Sequence, residues 1–450
     1  MRIEHHGAKC GVTGSCHELF IGNNSLLIDC GLFQGEELQA SLNIDFPLDS
    51  VRALFLTHCH IDHVGRIPWL LAAGFHSPIY ATQATAALLP LMLEDGLKIQ
   101  LGLDGKQCEQ ITNRVRALLK PIPFDCWVQL TFPSGELINV RFRQAGHILG
   151  SAYVEIKLPD DRIVVFSGDL GPCHTPLLVD PVSPKRADVL VLESTYGDRR
   201  HPSIADRQTR LKAIVERSLQ DGGAIIIPAF SVGRTQELLF DLEDIIAQAD
   251  MNASNVNWQN LPVVLDSPLA AKITEQYNVY KQLWANEAKS RYITGRHPLS
   301  FQQCIVIESH AEHIALINRL QTSAEPVIIV AASGMCTGGR VVSYLEALLP
   351  DKRTDVVFSG YQAKGTLGKA LLDGTDKVEI NAEQIVVNAQ IHQLSGYSAH
   401  ADQDDLIAFV QNIDHGPSDI YLVHGEVATQ RILADKLYAV IENVTIHHAD

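Results

Sequence analysis

A short cluster of metal-binding side chains constrains this sequence more than any other feature. Between residues 58 and 63 the chain carries three histidines and one aspartate, namely His58, His60, Asp62 and His63. Imidazole nitrogens and carboxylate oxygens suit borderline metals such as zinc, which binds them at about 2.0–2.2 Å. Alternate side chains of an extended loop point the same way, so His58 and His60 are expected to hold one ion. Asp62 and His63 lie past a turn and are expected to face a second ion, and such a pair of ions suits hydrolysis at phosphorus.

Further candidate ligands follow predicted strands elsewhere in the chain. His147 and Asp169 each come directly after an apolar stretch, and a third stretch, predicted as a buried strand, ends at Asp29. Cys59 lies inside the histidine cluster, but strand-like alternation turns its side chain away from those of the neighbouring histidines. We therefore expect Cys59 to be a buried spectator. His6, like His5 and His17, fits no motif and is expected to be solvated or to support other ligands.

Composition limits the class of protein. A length of 450 residues suggests two or three domains, and 46% hydrophobic with 20% charged residues is typical of globular chains. The net charge of −16 is the wrong sign for a broad basic surface that gathers nucleic acid, but it does not exclude a nuclease whose active site holds metal ions. Nine cysteines without a Cys-x-x-Cys pair favour reduced thiols. No signal peptide and no apolar run of roughly 18 residues is present, so we expect a soluble, cytoplasmic protein with no membrane partner.

The middle of the chain repeats one plan three times. Continuous apolar strands beginning near residues 224, 327 and 356 are each followed by a glycine-containing turn and a helix pattern. This pattern predicts a parallel sheet covered by helices on both faces. Ligands of such sheets bind beyond the carboxyl ends of the strands, where the turns with Arg234, Arg340 and Lys364 are expected. We therefore predict a separate α/β domain over roughly residues 200–385.

The motifs resemble those of the metallo-β-lactamase superfamily. Asp29 matches the first motif of that superfamily, residues 58–63 the second, His147 the third and Asp169 the fourth. The resemblance implies that Asp169 bridges two metal ions and that Asp29 is a buried residue that orients a ligand.

The remaining motifs resemble those of the β-CASP nucleases, which include the cleavage and polyadenylation endonuclease subunit and RNase J. Glu193 falls on motif A of this family, His400 on motif B and His424 on motif C. The resemblance implies an α/β fold, a metallo-β-lactamase αββα sandwich with an inserted β-CASP domain built on a parallel sheet flanked by helices. The sandwich would comprise residues 1–197 and 386–450, and the insertion residues 198–385. Members that cut RNA keep the histidine of motif C, so the resemblance implies RNA as the substrate.

Roles follow for the candidate site residues. The ligands of one zinc ion are predicted to be His58, His60 and His147; those of the other are Asp62, His63 and His424; and Asp169 bridges them. The predicted catalytic residues are Asp62, Glu193 and His400, with His400 as the acid that protonates the leaving alkoxide and Glu193 as the carboxylate that keeps it protonated. Glycine-rich turns at helix starts bind anions through backbone N–H groups. The predicted RNA contacts are Arg234, Ser333, Gly334, Arg340 and Ser398.

The sequence therefore predicts a ribonuclease that depends on two zinc ions and cleaves single-stranded RNA by a two-metal hydroxide mechanism. Cleavage within the chain, from the 5′ end, or both is left open, as is a homo-oligomer or an RNA-processing partner. The alternatives are a small-molecule ester or thioester hydrolase of the same fold, a DNA nuclease of the same family, and an inactive scaffold. The inserted domain and the presence of His400 and His424 argue against the first, and the full ligand set argues against the last.

Overall fold

A computed structural model describes residues 1–39, 41–251, 257–323, 325–360, 362–394 and 396–449. The chain divides into two compact units. The first comprises Met1–Arg200 and Ala399–Asp450, and the second comprises His201–Ser398.

The secondary-structure elements alternate along most of the chain. The strands are β1 (Arg2–Gly7), β2 (Cys16–Ile21), β3 (Asn24–Ile28), β4 (Val51–Phe55), β5 (Ile79–Thr82), β6 (Leu119–Ile122), β7 (Val128–Thr131), β8 (Leu137–Gln144), β9 (Ala152–Lys157), β10 (Ile163–Phe166), β11 (Val189–Glu193), β12 (Ala224–Pro228), β13 (Val263–Asp266), β14 (Cys304–Val306), β15 (Val327–Ala331), β16 (Asp355–Phe358), β17 (Lys377–Ile380), β18 (Glu383–Val386), β19 (Gln390–Gln393), β20 (Asp419–Val423) and β21 (Thr445–His447). The helices are α1 (Ile61–Val64), α2 (Ile67–Ala72), α3 (Gln83–Leu101), α4 (Gly105–Leu118), α5 (Ile204–Asp221), α6 (Arg234–Met251), α7 (Pro268–Val279), α8 (Asn286–Ile293), α9 (His310–Thr322), α10 (Arg340–Leu348), α11 (Leu367–Leu372), α12 (Gln403–Gln411) and α13 (Val427–Tyr438). Within the described ranges, no helix has the length and apolar character that crossing a bilayer requires.

Two sheets face each other in the first unit. One contains β1 to β6 in chain order, antiparallel from β1 to β3 and parallel from β3 to β6. The other has the order β21-β20-β11-β10-β9-β8-β7, and its strands β10, β11, β20 and β21 are parallel. Apolar side chains from both sheets, including Leu26, Phe55, Val154 and Phe166, form one buried core between them. Burial of this kind contributes roughly 25 cal/mol per Å² of apolar surface.

Helices cover the outer faces of this sandwich. The periodic apolar residues of α2 and α3, such as Ile67 and Leu89, pack on the first sheet. Those of α12 and α13, such as Phe409 and Leu433, pack on the second sheet. The layers therefore run helix, sheet, sheet, helix, which confirms the predicted αββα sandwich.

The carboxyl ends of three neighbouring parallel strands deliver candidate site residues. Asp169 follows β10, Glu193 is the last residue of β11, and His424 follows β20. The register pairs Glu193 with Val423, so these strand ends lie side by side. Side chains at such an edge converge on one site, as expected for open parallel sheets.

The second unit is built on a parallel sheet. Its strand order is β14-β13-β15-β12-β16-β19, and every neighbouring pair is parallel. Strands β12, β15 and β16 are followed by α6, α10 and α11, which confirms the three predicted strand–turn–helix repeats. A separate antiparallel hairpin contains β17 and β18.

Candidate metal centre

The first of two groups of ligand atoms lies at the end of β4 and contains three histidines. His60 Nδ1 lies 3.1 Å from His58 Nε2 and 2.9 Å from His147 Nε2. The Oδ2 atom of Asp169 lies 3.4 Å from His58 Nε2 and 3.5 Å from His147 Nε2. The structure thus brings the four residues predicted for one ion within reach of a single point.

The second group contains two histidines and two aspartates. His63 Nε2 lies 3.1 Å from His424 Nε2 and 3.2 Å from Asp169 Oδ1. Asp62 Oδ2 lies 3.4 Å from His424 Nε2. Asp169 therefore presents one carboxylate oxygen to each group, an arrangement suited to a bridging ligand.

The burial and the spacing of the donor atoms are those expected of a metal site. Both oxygens of Asp169 are buried and lack a hydrogen-bond partner among the described residues, a costly arrangement unless a cation binds them. Two ligands of one tetrahedral zinc ion are about 3.3–3.6 Å apart, given bonds of about 2.0–2.2 Å. The separations of 2.9–3.5 Å in the first group are close to this spacing.

Close backbone packing fixes the loop that carries the histidine cluster. The amide N–H groups of Ser15 and Cys30 donate to the carbonyl oxygens of Asp62 and His63, both at 2.8 Å. A Cβ atom on Gly31 would lie 1.5 Å from the Asp62 oxygen, so only glycine permits this approach. The turn after β3 therefore serves as a template for residues 60–63.

Asp29 orients two parts of the cluster. Its Oδ2 atom accepts hydrogen bonds from His63 Nδ1 at 2.8 Å and from the Thr57 hydroxyl at 2.7 Å, while Oδ1 accepts from the Thr57 amide at 2.8 Å. Because Nδ1 of His63 holds the proton, its Nε2 lone pair faces the second group. Thr57 also contacts His58 Nδ1 at 3.1 Å, a contact that the sequence did not reveal.

Two other histidines are oriented in the same way. His147 Nδ1 donates to the carbonyl oxygen of Ala399 at 2.7 Å. His424 Nδ1 lies 3.1 Å from the Thr195 hydroxyl, which donates in turn to the His424 carbonyl at 3.0 Å. Both rings therefore present Nε2 to the ligand groups, and Thr195 is a second supporting residue that had no distinguishing motif.

Burial and charge act differently on the two groups. In the first, burial lowers the pKa of His60 to about 4 and holds the pKa values of His58 and His147 well below the ordinary value, so these rings are neutral. In the second, burial is the largest single effect and opposes protonation, but the surrounding carboxylates, Asp169 foremost, together outweigh it. They raise the pKa of His424 to about 9 and that of His63 well above the ordinary value. Metal binding to the second group must therefore displace protons.

His400 and Glu193 form a pair beside the shared aspartate. His400 Nδ1 lies 3.1 Å from Glu193 Oε2, 3.4 Å from Glu193 Oε1 and 3.8 Å from Asp169 Oδ2. Glu193 is completely buried, and its Oε1 accepts from the Leu170 amide at 2.6 Å. Burial of His400 opposes protonation, but Glu193 and then Asp169 outweigh that effect and raise the pKa of His400. The geometry suits an imidazole that holds a proton near neutral pH.

Cys59 lies in the same loop but in neither ligand group. Its side chain is completely buried, and burial raises the pKa of its thiol to about 12. A thiol held protonated in this way is a poor zinc ligand.

The second unit holds the residues predicted to contact RNA. Ser333 and Gly334 lie in the turn after β15, and Arg234, which is 9% exposed, begins α6 after β12. These positions lie at the carboxyl edge of the parallel sheet. Ser398 is the last residue of the unit and is partly buried.

Phe230 is a neighbour of this turn that the sequence did not single out. Its ring is 38% exposed, although it belongs to the turn after a fully buried strand. A Cβ atom on Gly334 would lie 2.9 Å from the Phe230 ring, so glycine is required for their close contact. An exposed aromatic ring beside a glycine-rich turn is a surface on which a base can stack.

Arg340 has a different setting from the one predicted. Its guanidinium pairs with the fully buried carboxylate of Asp266 at 2.5 Å and donates to the carbonyl oxygens of Ile307 at 3.0 Å and Glu308 at 3.1 Å. The same carboxylate also accepts from Tyr344 at 2.5 Å. The guanidinium of Arg340 therefore points toward the protein interior. There it neutralises the Asp266 carboxylate, since a buried carboxylate needs a cationic partner. The structure therefore gives Arg340 a buried ionic partner, and its contact with RNA stays a prediction.

The contacts of Arg340 give a prediction for stability. Arg340→Ala should lower the free energy of unfolding by about 2 kcal/mol, the value of a hydrogen-bonded pair with a buried charge. Arg319→Ala is the control, since Arg319 is 61% exposed and its pair with Glu325 should contribute at most about 1 kcal/mol. Urea unfolding followed by circular dichroism measures both, and equal losses would show that the Asp266 pair is unimportant.

Comparison with known proteins gives matches to three families along the chain. Residues 12–225 match the metallo-beta-lactamase superfamily, residues 235–371 match the Beta-Casp domain, and residues 384–448 match the Zn-dependent metallo-hydrolase RNA specificity domain. The first range contains Asp169 and the third contains His400 and His424. The residues that meet at the two ligand groups therefore come from two separately matched parts of the chain.

Several proteins are similar over nearly the whole chain. Ribonuclease TTHA0252 of Thermus thermophilus is 36% identical over 430 residues, covering 95% of this chain and 93% of that protein. Transcription termination factor FttA of Methanocaldococcus jannaschii is 30% identical, covering 99% of this chain and 70% of the relative. Cleavage and polyadenylation specificity factor 73 of Drosophila melanogaster is 29% identical, covering 95% and 60%. A solved structure of a protein of unknown function from Enterococcus faecalis V583 is also similar, with a TM-score of 0.53 and 14% sequence identity. The similarity covers 100% of this chain and 97% of that one, and it is evidence for the fold only.

Proposed function

Because this chain belongs to the β-CASP family of the metallo-β-lactamase superfamily, we propose that it is a zinc-dependent ribonuclease that hydrolyses phosphodiester bonds of single-stranded RNA. The observation that carries the proposal is the carboxylate of Asp169, which two groups of ligand atoms share, with the His400–Glu193 pair beside it. A ribonuclease among the similar proteins and the match to an RNA specificity domain support RNA as the substrate.

The ligand set fits two zinc ions. His58, His60 and His147 would hold one ion, Asp62, His63 and His424 the other, and Asp169 both. Bound there, two such ions lower the pKa of water and neutralise charge on phosphoryl oxygens. The contribution of the protein is to hold four of the five ligand rings, all but His60, in one orientation through Asp29, Thr57, Thr195 and the Ala399 carbonyl.

His400 supplies the proton that the leaving alkoxide needs. Its Nδ1 faces the Glu193 carboxylate, and we assign Nε2 as the atom that donates. Glu193 acts as a positioning residue because it fixes the ring and favours its charged form. Asp62 is assigned two roles. It binds the second ion, and it lies beside the reacting phosphate, so we also assign it as a catalytic residue.

RNA contacts are assigned to the carboxyl edge of the sheet in the second unit. Ser333 and Gly334 belong to a turn that precedes α10, and turns of this kind bind phosphate through backbone N–H groups. Arg234 and Ser398 are assigned to the same role, and Phe230 is assigned to base stacking. Arg340 pairs with the buried Asp266, and its predicted contact with phosphate is kept in the same proposal.

Cleavage of labelled nucleic acid tests the proposed function. Zinc-loaded protein should shorten single-stranded RNA labelled at either end and should leave single-stranded DNA of the same sequence largely intact. Sizing the products shows whether cleavage is internal or proceeds from the 5′ end. Preferential DNA cleavage would indicate a DNA nuclease, hydrolysis of thioesters without RNA cleavage would indicate a small-molecule hydrolase, and neither activity would indicate a scaffold.

The pH dependence of the rate tests the role of Glu193. An acid must be protonated to act, so kcat falls as the pH rises through the pKa of His400. Since Glu193 raises that pKa, Glu193→Gln should lower it and move the alkaline fall in kcat to lower pH. Glu155→Gln serves as a control, because Glu155 is an equally buried glutamate paired with Arg141. If the alkaline limb of Glu193→Gln coincides with that of the control, Glu193 does not act on the acid.

A further inference from the structure

Another group of possible ligands lies on the first two strands and contains no residue of the groups that include Asp169. Glu4 and His6 are two residues apart on β1, so their side chains share one face of the sheet. Glu18 on β2 is the direct cross-strand partner of Glu4. His6 Nε2 lies 2.8 Å from Glu18 Oε2, and one donor atom from each of the three residues falls within 4.8 Å of the others.

The charges of this group are poorly matched without a cation. Two glutamates directly opposite each other on neighbouring strands repel and destabilise the pair. Glu18 is only 1% exposed, and its Oε1 atom has no hydrogen-bond partner among the described residues. Glu4 is more exposed, at 42% of its side chain, and its Oε1 pairs with Arg2 at 2.5 Å. The buried carboxylate of Glu18 therefore has His6 as its one recorded ion-pair partner in the described part of the chain.

Glu155 is a buried glutamate of the same unit that belongs to no group of possible metal ligands among the described residues, and it serves as a comparison for Glu18. It too is 1% exposed with one unpartnered oxygen. Its direct cross-strand neighbour, however, is Arg141, which pairs with it at 2.5 Å. Glu155 thus faces an arginine across the strands, whereas Glu18 faces a second carboxylate and has the His6 imidazole beside it.

We propose that Glu4, His6 and Glu18 bind a third divalent metal ion of the zinc class, which ties β1 to β2. One imidazole nitrogen and two carboxylate oxygens are the ligands that such borderline ions accept, and the exposed side of Glu4 leaves room for water to complete the coordination. The His6 ring is already held in place, since it stacks on Phe46 with centroids 3.8 Å apart and planes inclined by 10°. The ion neutralises the two facing carboxylates and occupies the unpartnered oxygen.

Metal content after equilibrium dialysis tests this site. Wild-type protein, Glu18→Gln, His6→Gln and the matched control Glu155→Gln are dialysed against a series of buffered free zinc concentrations, and zinc per chain is measured by mass spectrometry. Wild type and Glu155→Gln should each bind one more ion per chain than Glu18→Gln and His6→Gln. Zinc should also raise the Tm of the wild type by more than it raises that of Glu18→Gln.

Glu4→Gln keeps the test valid if the two buried variants do not fold. Its side chain is 42% exposed, far more than that of Glu18, so the fold should persist. Zinc affinity at one site should fall at least about tenfold, as for loss of even an outer-shell partner. Equal zinc content and equal affinity in wild type and Glu4→Gln, or in wild type and Glu18→Gln, would show that a proton on His6 satisfies Glu18 and that no third ion binds. The comparison depends on a difference of one ion and is independent of how many ions Asp169 helps to hold.

Discussion

Replacing His400 by alanine is expected to slow the chemical step of RNA cleavage by roughly 10²–10⁴-fold, the usual contribution of a positioned acid. His400 lies 3.8 Å from the shared aspartate and 3.1 Å from Glu193, outside the two groups of metal ligands. Zinc content and RNA affinity should therefore remain close to those of the wild type. Single-turnover cleavage of labelled RNA measures the rate, and dialysis measures the metal.

A change of leaving group is the control for this prediction. A nitrophenyl phosphodiester releases a phenolate that needs no proton, so the loss caused by His400→Ala should shrink on that substrate. Equal losses on both substrates would assign His400 to phosphate binding, and loss of an ion would make it a ligand.

Asp169→Asn should have a still larger effect, because one side chain serves both ligand groups. The neutral amide offers one weaker ligand oxygen in place of two charged ones, so the affinity for both ions should fall. The rate should drop by about 10³-fold or more, since metal catalysis contributes several kcal/mol and each 1.36 kcal/mol is tenfold. Metal analysis and single-turnover cleavage measure the two effects.

His424→Ala provides the matched comparison for the shared aspartate. His424 belongs to the second group alone, so its removal should lower the occupancy of one ion and spare the other. Excess zinc should restore part of its activity. Loss of one ion in both variants would contradict a bridging role for Asp169.

The residues of the two ligand groups could be picked out from the sequence because their residue types are rare and their spacing is tight. His58, His60, Asp62 and His63 fall within one short loop, and the other ligands follow strand ends. The αββα sandwich and the parallel sheet of the second unit were predictable for a related reason, since continuous apolar strands followed by helices have few other solutions.

The orientation of the ligands was not predictable from the sequence. Thr57 and Thr195 fix histidine rings through single hydroxyl contacts, and threonine is too common a residue to mark such a role. Ring geometry also decides that His60 presents Nδ1 whereas His58 presents Nε2. These details depend on long-range packing, which spacing along the chain does not contain.

Arg340 and His6 show the limits of motif-based reasoning. A glycine-rich turn suggested that Arg340 binds phosphate, but a buried aspartate more than seventy residues away along the chain pairs with it. His6 matched no motif, and only the strand register places Glu4 opposite Glu18 beside it. In both cases the structure shows a contact with a buried carboxylate that the motifs did not indicate.

Zinc titration of metal-free protein, with cleavage of single-stranded RNA followed at each step, tests the central claim most directly. The Glu18→Gln variant is used so that the proposed third site does not enter the count. We predict that cleavage rises with zinc and reaches its plateau at two ions per chain. Full cleavage at one ion per chain, or no RNA cleavage with two ions bound, would contradict the account.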